Sequence, residues 1–294
     1  MLYQQIIYMK NSETIQLEKI FLKLNIKKND NIYLGVDLMK TSLNLKTKMN
    51  FNKLSEIILK TLSKIVGSKG SIVVPTFNFH CINEKKFDVK KSPSNCGAFS
   101  NILLRKYFKQ RSFHPMYSFL FFGKNSSYFI NKKEFNAFGV KSIWQKFIEN
   151  NYKIVSLGHH YNRSFTIVHH LENLSSIDYR YNKTFSLNYK DLSNKIKKIK
   201  FQFFARKKNK CKYSAITIKC DQILRKKRIF KFHKYKKLIS FNLNLKKSCM
   251  LILNDLKKEK PVFVNYIDKK NNNLRNILNS KNTFELEQYY TTKY

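Results

Sequence analysis

The sequence predicts an α/β fold: a central mixed, largely parallel sheet flanked by helices, followed by a basic, β-rich C-terminal third. Three observations carry this expectation. Short apolar runs closed by glycine or proline alternate with amphipathic helical segments up to Gly158. All seven glycines fall between Gly35 and Gly158, and six of seven histidines between His80 and His170, so special backbone geometry and titratable chemistry share the middle of the chain. Residues 187–260 differ, with 24 Lys/Arg against four Asp/Glu and alternating apolar patches.

Residues 12–24 form a helix whose Leu17, Ile20, Phe21 and Leu24 share one face. Asn31 to Gly35 is a strand closed by glycine, and residues 50–66 are a second helix with Leu54, Ile57, Ile58, Leu62 and Ile65 on one side. Ser71 to Val74 is a buried strand that Pro75 ends, so the two strands form a parallel pair with a right-handed crossover. Residues 76–98 read as a long loop, of the kind that often carries function. A helix at 99–109, a strand from Ser118 to Phe122, a helix from Lys141 to Asn150 holding Trp144, and a strand from Lys153 to Leu157 follow. Further on, Ala215 to Lys219 and Pro261 to Val264 suggest strands, and Phe284 to Tyr290 a short helix. With no linker and no internal repeat, residues 1–294 are expected to form one domain.

Composition bounds the function. A chain with 43% hydrophobic and 15% aromatic residues has the material for a substantial core and is not a disordered polymer. No apolar run reaches the ~18 residues of a membrane span, and the N-terminal stretch lacks the pattern of a signal peptide, so a cytoplasmic location is expected. The five cysteines (81, 96, 211, 220 and 249) show no Cys-x-x-Cys, and no His or Cys pair has a zinc spacing; free thiols and no metal are expected. The net charge of +40 attracts polyanions, nucleic acid among them. Lysines spread along the whole chain make such binding non-specific, and an ordinary solvated basic surface is the simpler account of them.

The stretch from Ser156 to Glu172 concentrates the chemistry. It reads as a strand end, a polar loop, and a helix that Thr166 caps. Thr166, His169 and Glu172 are three apart and share a helical face, whereas His170 points elsewhere. A carboxylate one turn from an imidazole holds it in one tautomer and suits it to general-base work, although such pairs are also common on ordinary surfaces. Just past a strand's C-terminal end is where open α/β sheets keep their sites.

The order of motifs completes the reading. Gly67-x-x-Gly70 leads through a strand to Val74-Pro75-Thr76-Phe77; Phe87-Asp88, Ser92-Pro93-Ser94 and Gly97 follow. Then come Arg111-Ser112-x-His114-Pro115-x-x-Ser118, Phe138-Gly139-x-x-Ser142, Gly158, and Thr166-x-x-His169-x-x-Glu172. From about Asn31 to Arg180 this resembles the aminoglycoside 3-N-acetyltransferase family, the antibiotic N-acetyltransferases. The resemblance implies an α/β fold, acetyl-CoA as acyl donor, and acetylation of a primary amine on an aminoglycoside or amino-sugar acceptor. It makes His169 the base and Glu172 the residue that orients it, and it places Thr76, Ser112, His114 and Ser118 around the coenzyme and catalytic cleft. Where the family usually carries His-Ser-Ser after the first strand, this chain has Gly35-Val36-Asp37. An oxyanion donor is expected from Thr76 or from a backbone N–H near Gly158. The alternative is a catalytically inactive acetyltransferase-like scaffold that binds nucleic acid or anionic surfaces.

Overall fold

The computed structural model describes residues 12–159, 164–207, 213–215, 223–258 and 264–266. Cys211, Cys220, the expected strand residues 216–219 and 261–263, and the expected terminal helix at 284–290 lie outside them. The first two-thirds of the described chain holds helix α1 (Ser12–Lys23), strand β1 (Asn31–Val36), α2 (Leu38–Leu45), α3 (Phe51–Val66), β2 (Ser71–Pro75), α4 (Cys81–Glu84), β3 (Lys86–Asp88), α5 (Ala98–Tyr107), β4 (Phe119–Gly123), α6 (Ser126–Asn131), α7 (Ile143–Glu149), β5 (Lys153–Leu157) and α8 (Val168–Leu174). Then follow β6 (Arg180–Lys190), β7 (Ile196–Arg206), β8 (Tyr213–Ala215), β9 (Phe230–Tyr235), β10 (Leu238–Asn244), α9 (Leu245–Leu256) and β11 (Val264–Tyr266).

The main sheet has six strands in the order β4-β2-β1-β5-β10-β9. Its centre is parallel: Asn31 to Tyr33 pair with Ser71 to Val73, and Ile32 to Val36 with Lys153 to Leu157. β4 on one side, and β10 and β9 on the other, run antiparallel. The chain leaves β1 toward β2 and leaves β5 toward the opposite edge, so the switch in winding falls between β1 and β5, where α/β sheets open a crevice at their C-terminal ends.

The period-2 side chains of β1 and β2 divide the core. Ile32, Leu34, Ile72 and Val74 face α1, α3 and α5 through Leu17, Ile20, Phe21, Leu54, Ile58, Leu62 and Phe99. Tyr33 and Val73 face the other layer, where Trp144, Phe147, Val168 and Leu171 pack with Phe119 and Phe121. Each of these large side chains contributes about 1.5–3 kcal/mol when fully buried. Trp144, only 1% exposed, is a core residue in contact with Tyr33, Phe119, Phe138 and Phe147.

Two departures from the sequence reading matter. The expected loop at 76–98 contains α4 and β3, and β3 pairs in parallel with β6, a partner about a hundred residues downstream that no local pattern reveals. Asp37, read as a departure from the family pattern, is the N-cap of α2: its carboxylate accepts the Lys40 N–H at 3.0 Å. Among the described residues, no helix is long and apolar enough to cross a membrane, and no group of three or more His, Cys, Asp or Glu gathers to hold a metal ion.

Candidate active site

Strand β5 delivers the chain to the sheet's C-terminal edge and stops at Gly158, whose φ of +83° disfavours any residue with a Cβ. Helix α8 then starts without a side-chain cap. Ile167, not Thr166, occupies the N-cap position. The N–H groups of Val168, His169 and His170 instead reach the carbonyls three residues back, at 3.1, 3.1 and 2.9 Å. A tight first turn of this kind satisfies the donors that a Thr166 hydroxyl was expected to take.

On α8, His169 and Glu172 stand one turn apart, and the His169 Nδ1–H donates to Glu172 Oε2 at 2.8 Å. Glu172 is fully buried, and His169 is 9% exposed. The Phe138 ring stands edge-on to the imidazole, 5.7 Å between centroids. Two further groups fix the carboxylate: the Tyr179 hydroxyl donates to Oε1 at 2.6 Å, and Arg180 Nε lies 2.8 Å from Oε2. Arg180 is itself anchored, donating from Nη1 to the Phe204 carbonyl on β7 at 2.9 Å. Burial pushes the Glu172 carboxyl upward, but the Arg180 charge and the bonds from His169 and Tyr179 outweigh it and hold it at about 2. Glu172 is thus a permanent anion at neutral pH, and with Nδ1–H committed to it the basic lone pair of His169 is on Nε2.

His170 faces the other way, as expected, and has a structural job. Its Nδ1 accepts the Gly139 N–H at 3.2 Å and lies 3.3 Å from Ser142 Oγ, while Nε2 reaches Gln145 Oε1 at 3.2 Å. This pattern requires a neutral ring protonated on Nε2, consistent with burial depressing its pKa to about 4.

The four residues expected around the coenzyme are all buried, Thr76 and Ser118 completely and Ser112 and His114 at 3% exposure. Thr76, just past β2, and Ser118, just before β4, come together. Ser118 donates its hydroxyl to the Thr76 carbonyl at 2.8 Å, which leaves Thr76 Oγ1–H to donate to Ser118 Oγ at 3.0 Å. Arg111, 2% exposed, ties this pair to the 76–98 segment: Nε donates to Ser118 Oγ, Nη2 to the Thr76 carbonyl, and Nη1 to the carbonyls of Ser92 and Val89. Its guanidinium stacks on Phe87, 4.5 Å from the ring centroid. Ser112 Oγ accepts the Phe119 N–H at 3.0 Å. His114 Nδ1 accepts the N–H groups of Met116 and Tyr117, and burial depresses its pKa to about 3. A line of rings, His114–Tyr117–Phe138–His169, connects this framework to the dyad.

Of the expected oxyanion donors, the Thr76 hydroxyl and the N–H of Gly158 itself are engaged. The Thr76 hydroxyl proton goes to Ser118, and the Gly158 N–H goes to the Ile239 carbonyl at 2.8 Å. Burial raises the thiols of Cys81 and Cys96 to about 12 and 11, which leaves no thiolate nucleophile there at neutral pH. Tyr179, Arg180 and Arg111 were given no role from sequence. The only local signal for the first two was a buried-type Tyr-Arg step immediately after the helix that carries the dyad.

By architecture the molecule sits with α/β acetyltransferases of known structure. It is similar to a structure described as AAC-VIa bound to sisomicin, at 15% identity and a TM-score of 0.66, over 83% of this chain and 97% of that one. It is similar to AAC-IIIb in binary complex with CoASH, at 14% identity and a TM-score of 0.67, over 85% and 97%. It is also similar to the YokD protein from Bacillus subtilis, at 16% identity and a TM-score of 0.61, over 81% and 95%. At such identities these likenesses establish the fold. No curated protein sequence matches the chain. The family model for aminoglycoside 3-N-acetyltransferase matches residues 41–236, more than half of the chain. The chain belongs to that family and is an acyltransferase with acetyl-CoA as its donor.

Proposed function

We propose that this protein transfers the acetyl group of acetyl-CoA to a primary amine of an amino-sugar-type acceptor, with His169 as general base and Glu172 as the residue that orients it. The supporting observation is the buried pair itself: a 2.8 Å Nδ1–H to Oε2 bond to a carboxylate held by the Tyr179 hydroxyl and the Arg180 charge. An alkyl ammonium cannot attack a thioester. The acceptor reacts as the neutral amine, after its ammonium proton has passed to solvent, and Nε2 of His169 takes a further proton from the nitrogen as it bonds to the thioester carbon. The carbonyl becomes a tetrahedral oxyanion; its collapse breaks the C–S bond, and the proton held by the imidazole goes to the departing thiolate. General-base help of this kind contributes about 10²–10⁴-fold. The CoASH complex of AAC-IIIb and the sisomicin complex of AAC-VIa, on the same fold, support the pairing of coenzyme with amino sugar. Thr76, Ser112, His114 and Ser118 serve this site as its rigid frame, since the hydroxyls and His114 Nδ1 bond within the protein.

The acceptor is argued from charge. A polycationic drug needs a cleft of unpaired acids, and three acids around the site are spent: Asp37 caps α2 and pairs with Lys40, Asp88 accepts the N–H groups of Lys90 and Lys91 and pairs with Lys190, and Glu172 is neutralised by Arg180, while Asp178 lies exposed at the surface. With +40 overall, the field favours an anionic or nucleotide-linked amino sugar. The test is coenzyme release measured against a panel of aminoglycosides and nucleotide amino sugars, with His169→Ala as control. Turnover of the nucleotide sugars that His169→Ala abolishes is the expected result. Turnover confined to the drugs overturns the acceptor, and undiminished turnover in His169→Ala overturns the base.

A further inference from the structure

The border of the main sheet opposite β4 is a continuous basic rim. Residues 223–247 carry ten Lys/Arg and no Asp/Glu, so all 18 acids of the chain lie elsewhere. The fold lays this run along one border. β9 is the last strand of the sheet, and among the described residues nothing pairs with its outer side. A short helical turn at 223–226 leads Arg225 to Arg228 to the start of β9, Lys231 and Lys234 stand along the strand, and Lys236 and Lys237 form the turn into β10. All eight of these cations are exposed. At about 3.3 Å per residue, the six residues of β9 span about 20 Å. The rim is held in place. Lys236 Nζ donates to the Asn44 carbonyl at 2.9 Å, the Lys237 N–H donates to Asn44 Oδ1 at 2.7 Å, and the Arg225 guanidinium lies 4.3 Å from the centroid of Phe232. The acids of the neighbouring α1 are engaged away from it: Glu13 accepts from Thr47 Oγ1, and Glu18 pairs with Lys64. Lysines on an edge strand deter pairing with other chains, which would account for Lys231 and Lys234. The cations at 225–228 and 236–237 lie outside the strand and need another reason.

We propose that this rim binds the phosphate backbone of duplex nucleic acid without reading its bases. The inference goes beyond the acyltransfer reading and does not depend on it. A duplex carries about one charge per 1.7 Å and a condensed layer of counterions, so a row of fixed cations that releases those ions binds it more strongly than it binds a dilute anion. With Arg225 laid on Phe232 and Lys236 donating to Asn44, six exposed cations remain along the border, enough for about four or five phosphates. Bases are not read because no aromatic face is offered for stacking. Arg225 covers Phe232, Phe230 is 8% exposed, and Lys236 lies 5.1 Å from the centroid of Tyr235. A lipid surface suits the rim less well. An interfacial site inserts apolar side chains, and of the described residues 223–247 Ile239 is the one large apolar side chain that is exposed.

Fluorescence anisotropy of a labelled duplex of roughly 20 base pairs, titrated with the full chain at several salt concentrations, tests this and needs neither coenzyme nor acceptor. The wild type should bind with a Kd of about 10⁻⁶ to 10⁻⁴ M near physiological salt, and log K should fall against log salt by about 0.9 for each phosphate neutralised. One variant combines Lys226→Gln, Lys227→Gln, Lys231→Gln and Lys234→Gln. A second removes the same charge from the β4 side of the sheet, by Lys69→Gln, Lys109→Gln, Lys124→Gln and Lys133→Gln, all at exposed positions. The rim variant should lose more than about tenfold in affinity and about 3–4 of the salt slope, while the second should change by less than about threefold with its slope intact. Lys→Arg at the four rim positions keeps the charge and should bind as the wild type does. Both glutamine variants should melt with the wild type, because every exchanged side chain is exposed. Equal losses in the two would assign binding to the overall field of +40 and overturn the proposal. So would a wild type that does not bind the duplex, or a rim variant that loses phosphatidylserine vesicles but still holds the duplex.

Discussion

Arg180 and His169 meet on the same oxygen: each places a nitrogen 2.8 Å from Glu172 Oε2. The buried carboxylate therefore serves two masters, a permanent cation that keeps it ionised and an imidazole that it orients. Taking away the cation leaves a buried anion with less support, which typically costs about 3–5 kcal/mol. Arg180→Met should lower the urea midpoint accordingly. Glu172→Gln, which keeps the shape but loses the charge, should unfold less readily than Arg180→Met and yet lose about 10²–10⁴-fold in kcat, because nothing then selects the productive tautomer.

Acid should weaken the fold in two stages. The first involves His114 and His170, held neutral by burial at about 3 and 4. Unfolded imidazoles take up protons below about 6.5 while the native ones refuse them, so stability falls as pH drops from about 6.5 toward 4, by up to about 1.4 kcal/mol per pH unit per group. The second involves Glu172, whose depressed pKa gives stabilisation that is complete above the usual carboxylate range and disappears as pH falls through about 2. Thermal melts between neutrality and pH 3 should show the first slope, and His170→Asn should flatten part of it.

Arg111 holds the 76–98 segment against β4 with bonds to Thr76, Val89, Ser92 and Ser118. Arg111→Ala should open that segment to limited proteolysis and destabilise the protein by about 3–5 kcal/mol, since several buried carbonyls lose their donor together. Arg111→Lys should not restore resistance, because an ammonium lacks the planar fork that reaches three strands of chain at once.

The charge argument for the acceptor has its own signature. If a field from +40 draws an anionic acceptor, its KM should rise several-fold as salt is raised from about 0.05 M to 0.5 M, where the Debye length shrinks well below 10 Å. KM for a polycationic aminoglycoside should move the other way. Parallel changes for both acceptors would count against steering by the overall field.

Much of this molecule was legible in the sequence wherever a local pattern decides the structure. The amphipathic stripe of Leu54, Ile58 and Leu62 gives α3, and the apolar run closed by Gly158 gives β5 to the residue. His169 and Glu172 could be paired because a helical turn fixes their spacing. What distance in sequence conceals was not legible. β3 exists because β6 comes to lie beside it, and the Glu172 clamp needs Arg180 to be pinned by Phe204 on another strand. The β6–β7 hairpin did alternate, with Phe185 opposite Phe201 and Leu187 opposite Ile199 across the ladder, but Lys197, Lys198 and Lys200 on β7 masked the period. Thr166 failed as a cap because the first turn of α8 closes on its own carbonyls, a choice that side-chain preference does not record.

The guanidinium of Arg111 has a bearing on how this scaffold can be altered. One planar cation ties the backbone at Thr76 to that at Val89 and Ser92 and to the Ser118 hydroxyl, so the 76–98 excursion cannot be swapped for a relative's as an isolated cassette. A chimera that imports the excursion must also import its rivet and the aromatic plate of Phe87 beneath it. Drift in that region is thereby confined to the outward-facing side chains, while its path stays fixed.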